Sequence, residues 1–338
     1  MARELSILDV GHGNCAVLVY DDFVVVVDAG QKSDLQEFLV EQGIKHIDVL
    51  LVSHADADHI GGIVGIITSE IATIDRIRVN SDATKTVKNG VKWRQLVTVL
   101  AQSHRAGDLN FTVGLSTGNT GEFDNGDIRF EIVAPAPDLA ALSPGGRNSD
   151  GRYITSNTTS AVIRILNREV PVALLAGDLD ELGFQHLLND KQDIKAPAVI
   201  FPHHGGRPGP GDPINFTKAF CGATEPSSII FSIGRGINNT PRPDIIDAIR
   251  EVVPGARIIC TELSTHCAQN LPNIPQDYLT NKFAKGKLKK ECCGGTIVID
   301  LNNPGATFQP LVEPHMDFIK IGAPTALCRK AKTKEADE

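Results

Sequence analysis

The chain has 338 residues, of which 41% are hydrophobic and 22% are charged, and its formal net charge at neutral pH is −8. This length allows one large domain or two ordinary ones, and the apolar content is sufficient for a substantial core. The negative balance excludes a protein that coats nucleic acid nonspecifically, although it leaves room for a local positive patch.

The absence of targeting signals and the cysteine content favour a protein of the reducing cytoplasm. No run approaches the roughly 18 consecutive apolar residues of a membrane span, so we expect no membrane association. The first residues, MARELSILDVGHGN, lack a basic leader followed by a secretory apolar stretch. An odd count of seven cysteines favours free thiols, and we expect a structural role for the adjacent Cys292 and Cys293.

The first half of the chain alternates β-branched apolar runs with helical patterns. Two of the runs flank the glycine-rich GHGN, which predicts a hairpin. Runs that are apolar at nearly every position are typical of strands buried on both faces. The predicted strands are 5–10, 15–20, 23–30, 47–54 and 74–79, the predicted helices are 33–43, 61–70 and 92–107, and residues 111–134 are predicted to form strands and turns.

A second series of strands and helices follows a loop at 135–157 that is rich in Pro, Gly, Ser and Asn. The length of that loop predicts a segment that is either mobile or functional. The predicted strands are 160–166, 172–178, 198–204, 228–234, 256–261 and 294–301, and the predicted helices are 180–189 and 243–252. Two such series predict two sheets packed between helices. The charged tail at 329–338 has the composition of a disordered segment.

Metal-capable side chains follow three of the buried strands. HADADH at 54–59 follows one strand, VALLAGD ends in Asp178, and AVIFPHH ends in His203 and His204. Each piece has an ordinary explanation, since a lone aspartate after a strand often caps a helix and a histidine pair often lies in a solvated turn. Binding groups at strand ends are typical of a rigid scaffold with functional loops. The threefold repetition of this layout favours a metal site.

The residue types suit a site for two metal ions. Imidazole and carboxylate bind borderline and hard divalent ions. Two ions roughly 3.5–4 Å apart share a water and lower its pKa, and a carboxylate such as Asp178 can bridge them. His54 and Asp56 lie two residues apart, so in an extended loop they point the same way. Asp58 and His59 are adjacent and can turn towards the second ion.

The order of the motifs resembles a known family. LDVGHGNCAVLV, VVVVDAG, SHADADHIGG, LLAGDL, PHHGG and SSIIFSIG follow one another as in the metallo-β-lactamase domain of ComEC-type competence proteins. The resemblance covers about residues 5–300. It implies an α+β fold, the αββα sandwich, as a single domain over 1–328 with an insertion at about 267–293. It also implies a metal site at one edge of the two sheets and a nuclease-like activity.

The resemblance assigns roles residue by residue. The implied metal ligands are His54, Asp56, Asp58, His59, Asp178 as the bridge, and His203, with His204 as a competitor for the last position; Asp58, His59 and Asp178 are also the implied catalytic residues.

At two positions, the predicted metal ligands include fewer imidazole nitrogens than the usual pattern of the fold. Asp56 stands where the wider fold has a histidine, and SNTTSAVI has none where the fold has another. ComEC-type domains carry an Asn–x–x–Ser-like segment there, matched by Asn157 and Ser160. These changes favour Mn²⁺ or Mg²⁺, while Zn²⁺ stays open.

Several features keep two interpretations each, and His12, Arg242 and the insertion among them depart from the family. His12 in GHGN is either a solvated turn residue or an extra proton donor near the metals. Arg242 either holds a phosphate oxygen bidentately or faces solvent. The aspartates that end two early strands, Asp9 and Asp28, either support ligands or form structural turns. The lysines of the insertion either steer a polyanion or form a solvated surface; they are Lys282, Lys285, Lys287, Lys289 and Lys290.

These observations lead to one main hypothesis, a metal-dependent phosphodiesterase or nuclease acting on nucleic acid. A metal-bound hydroxide would attack phosphorus in line, and Asn157, Arg235 and Arg242 would bind the substrate, with the lysines holding flanking phosphates. ComEC proteins also contain a membrane channel and an OB-fold domain, which this sequence lacks, so a role in DNA uptake is not implied.

Two rival hypotheses stay open. One is the hydrolysis of a small molecule such as a cyclic nucleotide, lactone or lactam, since the fold does not fix the function. An aromatic content of 5% offers few stacking platforms for bases and weakens the nucleic-acid hypothesis. The other is an effector that is inactive without a protein partner, with the loop at 135–157 covering the site.

Overall fold

The computed structural model of this chain describes residues 2–82, 84–85, 90–302 and 308–329. The tail that we predicted to be disordered lies outside the described residues, apart from Arg329.

The described elements follow the predicted alternation of strands and helices. The strands are β1 (Arg3–Ile7), β2 (Ala16–Tyr20), β3 (Phe23–Val27), β4 (His46–Val52), β5 (Thr73–Val79), β6 (Asn110–Val113), β7 (Ile128–Ala134), β8 (Val162–Asn167), β9 (Val170–Leu175), β10 (Ala198–Ile200), β11 (Ser228–Phe231), β12 (Arg257–Cys260), β13 (Ile297–Asp300) and β14 (Phe308–Gln309). The helices are α1 (Asp34–Gln42), α2 (Ala57–Ile60), α3 (Ile63–Ser69), α4 (Val91–Ala106), α5 (Pro137–Leu142), α6 (Glu181–Asn189), α7 (Pro213–Thr224), α8 (Pro243–Val252) and α9 (Val312–Gly322).

The described strands form two mixed sheets. The first has the order β14-β13-β1-β2-β3-β4-β5-β6, and the second has the order β12-β11-β10-β9-β8-β7. Strands β3 to β6 are parallel in the first sheet, and β9 to β12 are parallel in the second. Both sheets therefore combine a parallel half with antiparallel strands, as in an α+β fold.

Buried apolar side chains form three layers that define the architecture. The middle layer joins the two sheets, with Val25 and Leu51 from the first and Ile163 and Ile200 from the second. The outer face of the first sheet is covered by α1, α3 and α4, through Leu35, Phe38, Ile63, Ile66, Leu96 and Leu100. The outer face of the second sheet is covered by α6 to α9, through Phe184, Phe216, Phe220, Ile245, Ile249 and Phe318. This layering confirms the predicted αββα sandwich.

The parallel strands bring the predicted ligands to one edge of the sandwich. The loops after β4, β9, β10 and β11 leave the carboxyl ends of their strands at this edge. The backbone N–H of Ala161 donates to the carbonyl of Ser53 at 2.9 Å and ties the end of β4 to the start of β8 in the opposite sheet. The loops of both sheets therefore meet across the same edge.

Some elements were not predicted from the sequence. The helix α7 begins after Asp212, whose side chain accepts a hydrogen bond from the backbone N–H of Ile214 at 2.9 Å, and Pro213 occupies its first turn. This cap-and-proline pair was a sequence signal for a helix start. The predicted loop at 135–157 contains α5. Two further elements that were not predicted, β14 and α9, follow β13 near the C-terminal end of the described residues.

The insertion at 267–293 packs against the start of the chain. The ammonium of Lys285 donates to Asp34 at 2.9 Å and to the carbonyl of Val10 at 3.1 Å, and Lys282 pairs with Glu4. These two lysines therefore hold the insertion in place, and their ammonium groups are directed at the protein itself. The single domain over 1–328 stays a proposal. None of the described helices combines the length and the apolar character that a bilayer crossing requires.

Candidate metal centre

A buried hydrogen-bond network orients the histidine that ends HADADH. Asp28, at the end of β3, accepts hydrogen bonds from the backbone N–H of Ser53 at 2.8 Å and from its hydroxyl at 2.7 Å. The same carboxylate accepts the Nδ1–H of His59 at 2.7 Å. Burial lowers the pKa of His59, but Asp28 and Asp178 outweigh it and raise that pKa well above the usual value. Asp28 thereby directs the Nε2 of His59 towards the site.

A second histidine is oriented from the opposite sheet. The Nδ1–H of His204 donates to the carbonyl of Ser232 at 2.7 Å, in the loop after β11. Its Nε2 lies 3.5 Å from Oδ2 of Asp58 and 3.6 Å from Oδ1 of Asp178. A neutral imidazole that donates from Nδ1 carries its lone pair on Nε2, so His204 presents a ligand atom to the site.

Asp178 connects two groups of candidate ligands. Its Oδ1 lies 3.3 Å from Nε2 of His59, and its Oδ2 lies 3.8 Å from Nε2 of His54. Within the described residues, His54, His59 and Asp178 bring ligand atoms within 4.8 Å of one another, and so do His12, Asp58 and His204. Because Asp178 Oδ1 also faces His204, its carboxylate lies between the two groups, as a bridging ligand would.

Four buried polar atoms converge on this point without a hydrogen-bond partner in the described part of the chain. They are Nε2 of His54, His59 and His204, and Oδ1 of Asp178. A buried polar atom without a partner costs about 1–3 kcal/mol, so four together need a compensating ligand. Imidazole nitrogens and carboxylate oxygens suit borderline and hard divalent cations. The residues present therefore fit divalent metal ions.

The carboxylates of the site are held in their ionised form. Burial alone would raise the pKa of Asp58 and of Asp178, but the neighbouring histidines His59 and His204 reverse this and lower both pKa values. Burial would also raise the pKa of Asp56, but His54 and the ammonium of Lys85 lower it below the usual value. Lys85 lies in the loop before α4 and was not anticipated from the sequence. The carboxylates are thus available as ligands near neutral pH.

The family of the chain follows from a comparison of its sequence with family models. The model of the metallo-β-lactamase superfamily matches residues 8–213, which is more than half of the chain. This protein belongs to the metallo-β-lactamase superfamily. It is accordingly a metal-dependent hydrolase of that superfamily.

Individual relatives are distant. ComE operon protein 3 of Bacillus subtilis (strain 168) is 24% identical over 200 residues, which cover 59% of this chain and 21% of that protein. The chain thus matches about a fifth of this curated relative. Tm1679, a metal-dependent hydrolase of the β-lactamase superfamily, is 15% identical with a TM-score of 0.47, covering 76% of this chain and 95% of that chain. The metallo-β-lactamase fold protein YhfI from Bacillus subtilis is 11% identical with a TM-score of 0.44, covering 76% and 96%.

In this metallo-β-lactamase superfamily member, the geometry favours His204 over His203 as the last histidine ligand. His204 is 3% exposed and presents an unpaired Nε2. The side chain of His203 is 30% exposed, and its Nδ1 lies 3.2 Å from Oδ2 of Asp178 and 3.3 Å from Nδ2 of Asn157. His203 therefore lies beside the carboxylate of Asp178 and next to Asn157, and it is more exposed than His204.

Ser160, the partner of Asn157 in the Asn–x–x–Ser segment, supports the ligands. Its hydroxyl accepts the backbone N–H of Asp178 at 3.0 Å and lies 3.4 Å from Nδ1 of His54. The segment thus fixes the backbone of the bridging residue.

Arg235 is held by backbone carbonyls of the protein. Its guanidinium donates to the backbone carbonyls of Leu263, Ala268 and Gln269, at 2.5, 2.8 and 2.9 Å. Arg235 is also absent from the described residues that line the cavity at the site. Its donors hold the start of the insertion, and its predicted role in substrate binding stays a prediction.

An open cavity of about 750 Å³ lies over the ligands. Two arginines line it, Arg207 and Arg242, and the sequence analysis anticipated only the second. Arg242 donates to both carboxylate oxygens of Asp244, at 2.9 and 2.6 Å. The exposed Arg207 has no ion pair or hydrogen bond with any described residue. It lies three residues after His204, a spacing that the PHHGGR stretch already showed.

The loop at 135–157 does not cover the site. None of its residues is among the described residues that line the cavity. Besides the candidate ligands, these are Gly206, Arg207, Asn238, Asn239, Thr240, Arg242, Pro243, Asp244 and His266. A lid formed by this loop, which the partner-activated hypothesis used, therefore has no support in the geometry.

His12 lies at the site and not in a solvated turn. Its side chain is 10% exposed, and its Nε2 is 3.6 Å from Oδ2 of Asp58. Burial and the neighbouring His204 lower the pKa of His12 to about 4. This imidazole is therefore neutral near pH 7.

Proposed function

We propose that this protein is a metal-dependent phosphodiesterase that cleaves nucleic acid. The observation that carries the proposal is the position of Asp178 beside two groups of candidate ligand atoms, in a cavity that is also lined by Arg207 and Arg242. A pair of divalent ions, Mn²⁺, Mg²⁺ or Zn²⁺, is the cofactor that this arrangement suits.

When bound, the ions would supply an activated water and neutralise charge on the attacked phosphate. The proposed ligands are His54, Asp56, Asp58, His59, Asp178 and His204. Asp28 orients His59 by accepting its Nδ1–H, and the carbonyl of Ser232 orients His204 in the same way. The ligand atoms are thereby preorganised from both sheets before a substrate arrives.

The wall of the cavity favours a phosphate-bearing substrate. Its described residues are polar or charged except for Gly206 and Pro243. Arg207 has its guanidinium free for a phosphate oxygen, and Arg242 is held in a fixed orientation by Asp244. Since guanidinium groups match phosphate oxygens bidentately, Arg207 is the proposed bidentate phosphate contact. Arg242 is proposed to contact phosphate only through the guanidinium N–H groups that Asp244 leaves free.

The same wall favours recognition of the backbone over recognition of bases. None of the described residues that line the cavity is Phe, Tyr or Trp. Without aromatic platforms, binding depends on phosphate contacts, which carry no sequence information. We therefore propose cleavage without strong sequence preference.

The test is cleavage by metal-stripped protein that is resupplied with Mn²⁺, Mg²⁺ or Zn²⁺ in turn. The substrates are single-stranded DNA, double-stranded DNA, RNA, bis-p-nitrophenyl phosphate and a simple lactone. We expect metal-dependent cleavage of phosphodiesters that is lost in Asp58→Asn and kept in Asp317→Asn, which changes an exposed carboxylate on α9. Lactone hydrolysis without phosphodiester cleavage, or two bound ions with no cleavage at all, would contradict the proposal.

A further inference from the structure

We infer that His12 is a metal ligand that completes a four-residue set around Asp58. Its imidazole makes Zn²⁺ the preferred metal ion at that position. The inference rests on the metal centre of the proposed function and not on its substrate. The side chains that carry it are His12, Asp58, Asp178 and His204.

The first observation is proximity. The Nε2 of His12 and the Nε2 of His204 lie 3.6 and 3.5 Å from Oδ2 of Asp58. The two imidazole rings have their centroids 4.4 Å apart. Two imidazoles and a carboxylate thus face one another across a space of the size that a metal ion requires.

The second observation is that one ring nitrogen of His12 has no hydrogen-bond partner in the described part of the chain. Its Nδ1 is buried and has no hydrogen-bond partner among the described residues. Its Nε2 contacts the side-chain amide of Asn238 at 2.9 Å, and an amide N–H donates only to a nitrogen that carries a lone pair. The lone pair of Nε2 thus accepts a hydrogen bond from Asn238, which a metal ion would displace, and the buried Nδ1 has no partner within the described ranges.

The third observation is that the position of His12 is built by close backbone packing. A Cβ on Gly13, which has φ 140°, would lie 2.4 Å from the carbonyl oxygen of Asp58. A Cβ on Gly234 would lie 2.6 Å from the backbone nitrogen of His12. The hydroxyl of Ser232 donates to the carbonyl of Gly13 at 2.6 Å. The loop that carries His12 is clamped between the loops that place Asp58 and orient His204.

The consequence concerns the identity of the metal. Without His12, this position offers one imidazole, from His204, and two carboxylates, from Asp58 and Asp178. With His12 it offers two imidazoles and two carboxylates, and four nitrogen and oxygen ligands are the usual number for Zn²⁺. Nitrogen ligands favour borderline ions over the harder Mg²⁺ and Mn²⁺. His12 therefore opposes the preference for harder ions that Asp56 suggested from the sequence.

The experiment measures Zn²⁺ affinity in competition with a chromophoric chelator, using the full-length metal-free protein. We expect His12→Gln to raise one of the two Zn²⁺ dissociation constants by at least about tenfold. The other dissociation constant should stay within about threefold of its wild-type value. The matched control is His266→Gln, which removes another cavity histidine whose Nε2 faces the carbonyl of Asn239 at 3.2 Å. The control should leave both constants unchanged.

A second readout counts the histidine ligands directly. In the Co²⁺-substituted protein, each bound imidazole gives a hyperfine-shifted, exchangeable ring N–H signal in the proton NMR spectrum. His12→Gln should lose one such signal, and His266→Gln should lose none. If circular dichroism shows that His12→Gln is unfolded, His12→Asn replaces it, and the signal count of the wild-type protein still tests the inference.

The outcomes separate this inference from the proposed function. Affinities and signal counts of His12→Gln that match those of His266→Gln overturn the role of His12. A wild-type protein that binds no ion overturns both proposals. A protein that loses one Zn²⁺ site in His12→Gln but cleaves no phosphodiester keeps the inference and overturns only the substrate class.

Discussion

Asp28 and His59 form a buried hydrogen bond of 2.7 Å between a carboxylate oxygen and Nδ1, at the centre of the site. Both side chains are almost completely buried, with 2% and 0% exposed. The bond decides which nitrogen of His59 carries the proton and which is left to bind a metal. It connects the end of β3 to the loop after β4, so the orientation of the ligand depends on the pairing of these two strands.

Replacement of Asp28 by asparagine should weaken metal binding while preserving the shape of the side chain. If the new amide Nδ2 faces Nδ1 of His59, it donates to that atom and forces the ring proton onto Nε2. We expect a 10–100-fold loss of Zn²⁺ affinity, as for other supporting groups of metal ligands. Competition titration of Asp28→Asn against wild type measures it, and an unchanged dissociation constant would show that Asp28 is only a structural turn residue.

Arg207 should contribute to substrate binding and not to metal binding. Replacing its free guanidinium by the amide in Arg207→Gln removes one proposed phosphate contact. The slope of log affinity for DNA against log salt concentration should decrease by about one, and the KM should rise. The control is Arg105→Gln at the exposed end of α4. If Arg207→Gln and Arg105→Gln had the same salt slope, Arg207 would not contact the phosphates. The Zn²⁺ affinities of the two variants should be equal, because neither residue binds metal.

Lys285 should stabilise the fold, unlike the more exposed lysines of the insertion. Lys285→Met removes the ammonium that lies 2.9 Å from Asp34, a carboxylate with only 8% of its side chain exposed. We expect a loss of roughly 1–2 kcal/mol in the free energy of unfolding, because a buried charge loses its partner. Urea unfolding measures the loss. Lys289→Met is the control, since 75% of the Lys289 side chain is exposed, and it should change stability by less than about 0.5 kcal/mol.

Glu262 should make the stability of the metal-free protein fall as the pH rises. Burial, followed by the charge of Asp9, raises the pKa of Glu262 from 4.5 to about 7. Between these values the folded state holds a proton that the unfolded state has released, so the free energy of unfolding decreases with increasing pH. The full effect is on the order of 3 kcal/mol, at about 1.4 kcal/mol per pH unit.

The measurement compares Glu262→Gln with wild type by urea unfolding at pH 4.5 and pH 8. The amide stays neutral, so the variant should gain stability relative to wild type as the pH rises. If the difference between the two proteins is the same at both pH values, Glu262 does not hold this proton.

The architecture was predictable from the sequence because its signals are local. The apolar runs at 23–30 and 47–54 mark buried strands wherever they pack, and they are β3 and β4 in the structure. The contiguous HADADH loop brings its own candidate ligands together, since neighbours in a chain cannot separate. The helix α7 escaped prediction although Asp212 and Pro213 marked its start.

Contacts between distant segments decided the rest. His203 and His204 are adjacent and both have φ of 55°, so only the carbonyl of Ser232, 28 residues away, distinguishes the buried ring from the open one. The donors of Arg235 bind the carbonyls of Leu263 and Ala268, 28 and 33 residues away, and no pattern around Arg235 predicts these partners.

The sequence by itself determined the fold class, the superfamily motifs and the residue types of the metal centre. The tertiary structure decided that His12 joins the site and that Lys282 and Lys285 face inward to Glu4 and Asp34. The physical reason is that composition and periodicity specify which side chains are available. The partner of a polar atom is fixed only when packing brings segments far apart in the chain within hydrogen-bond distance.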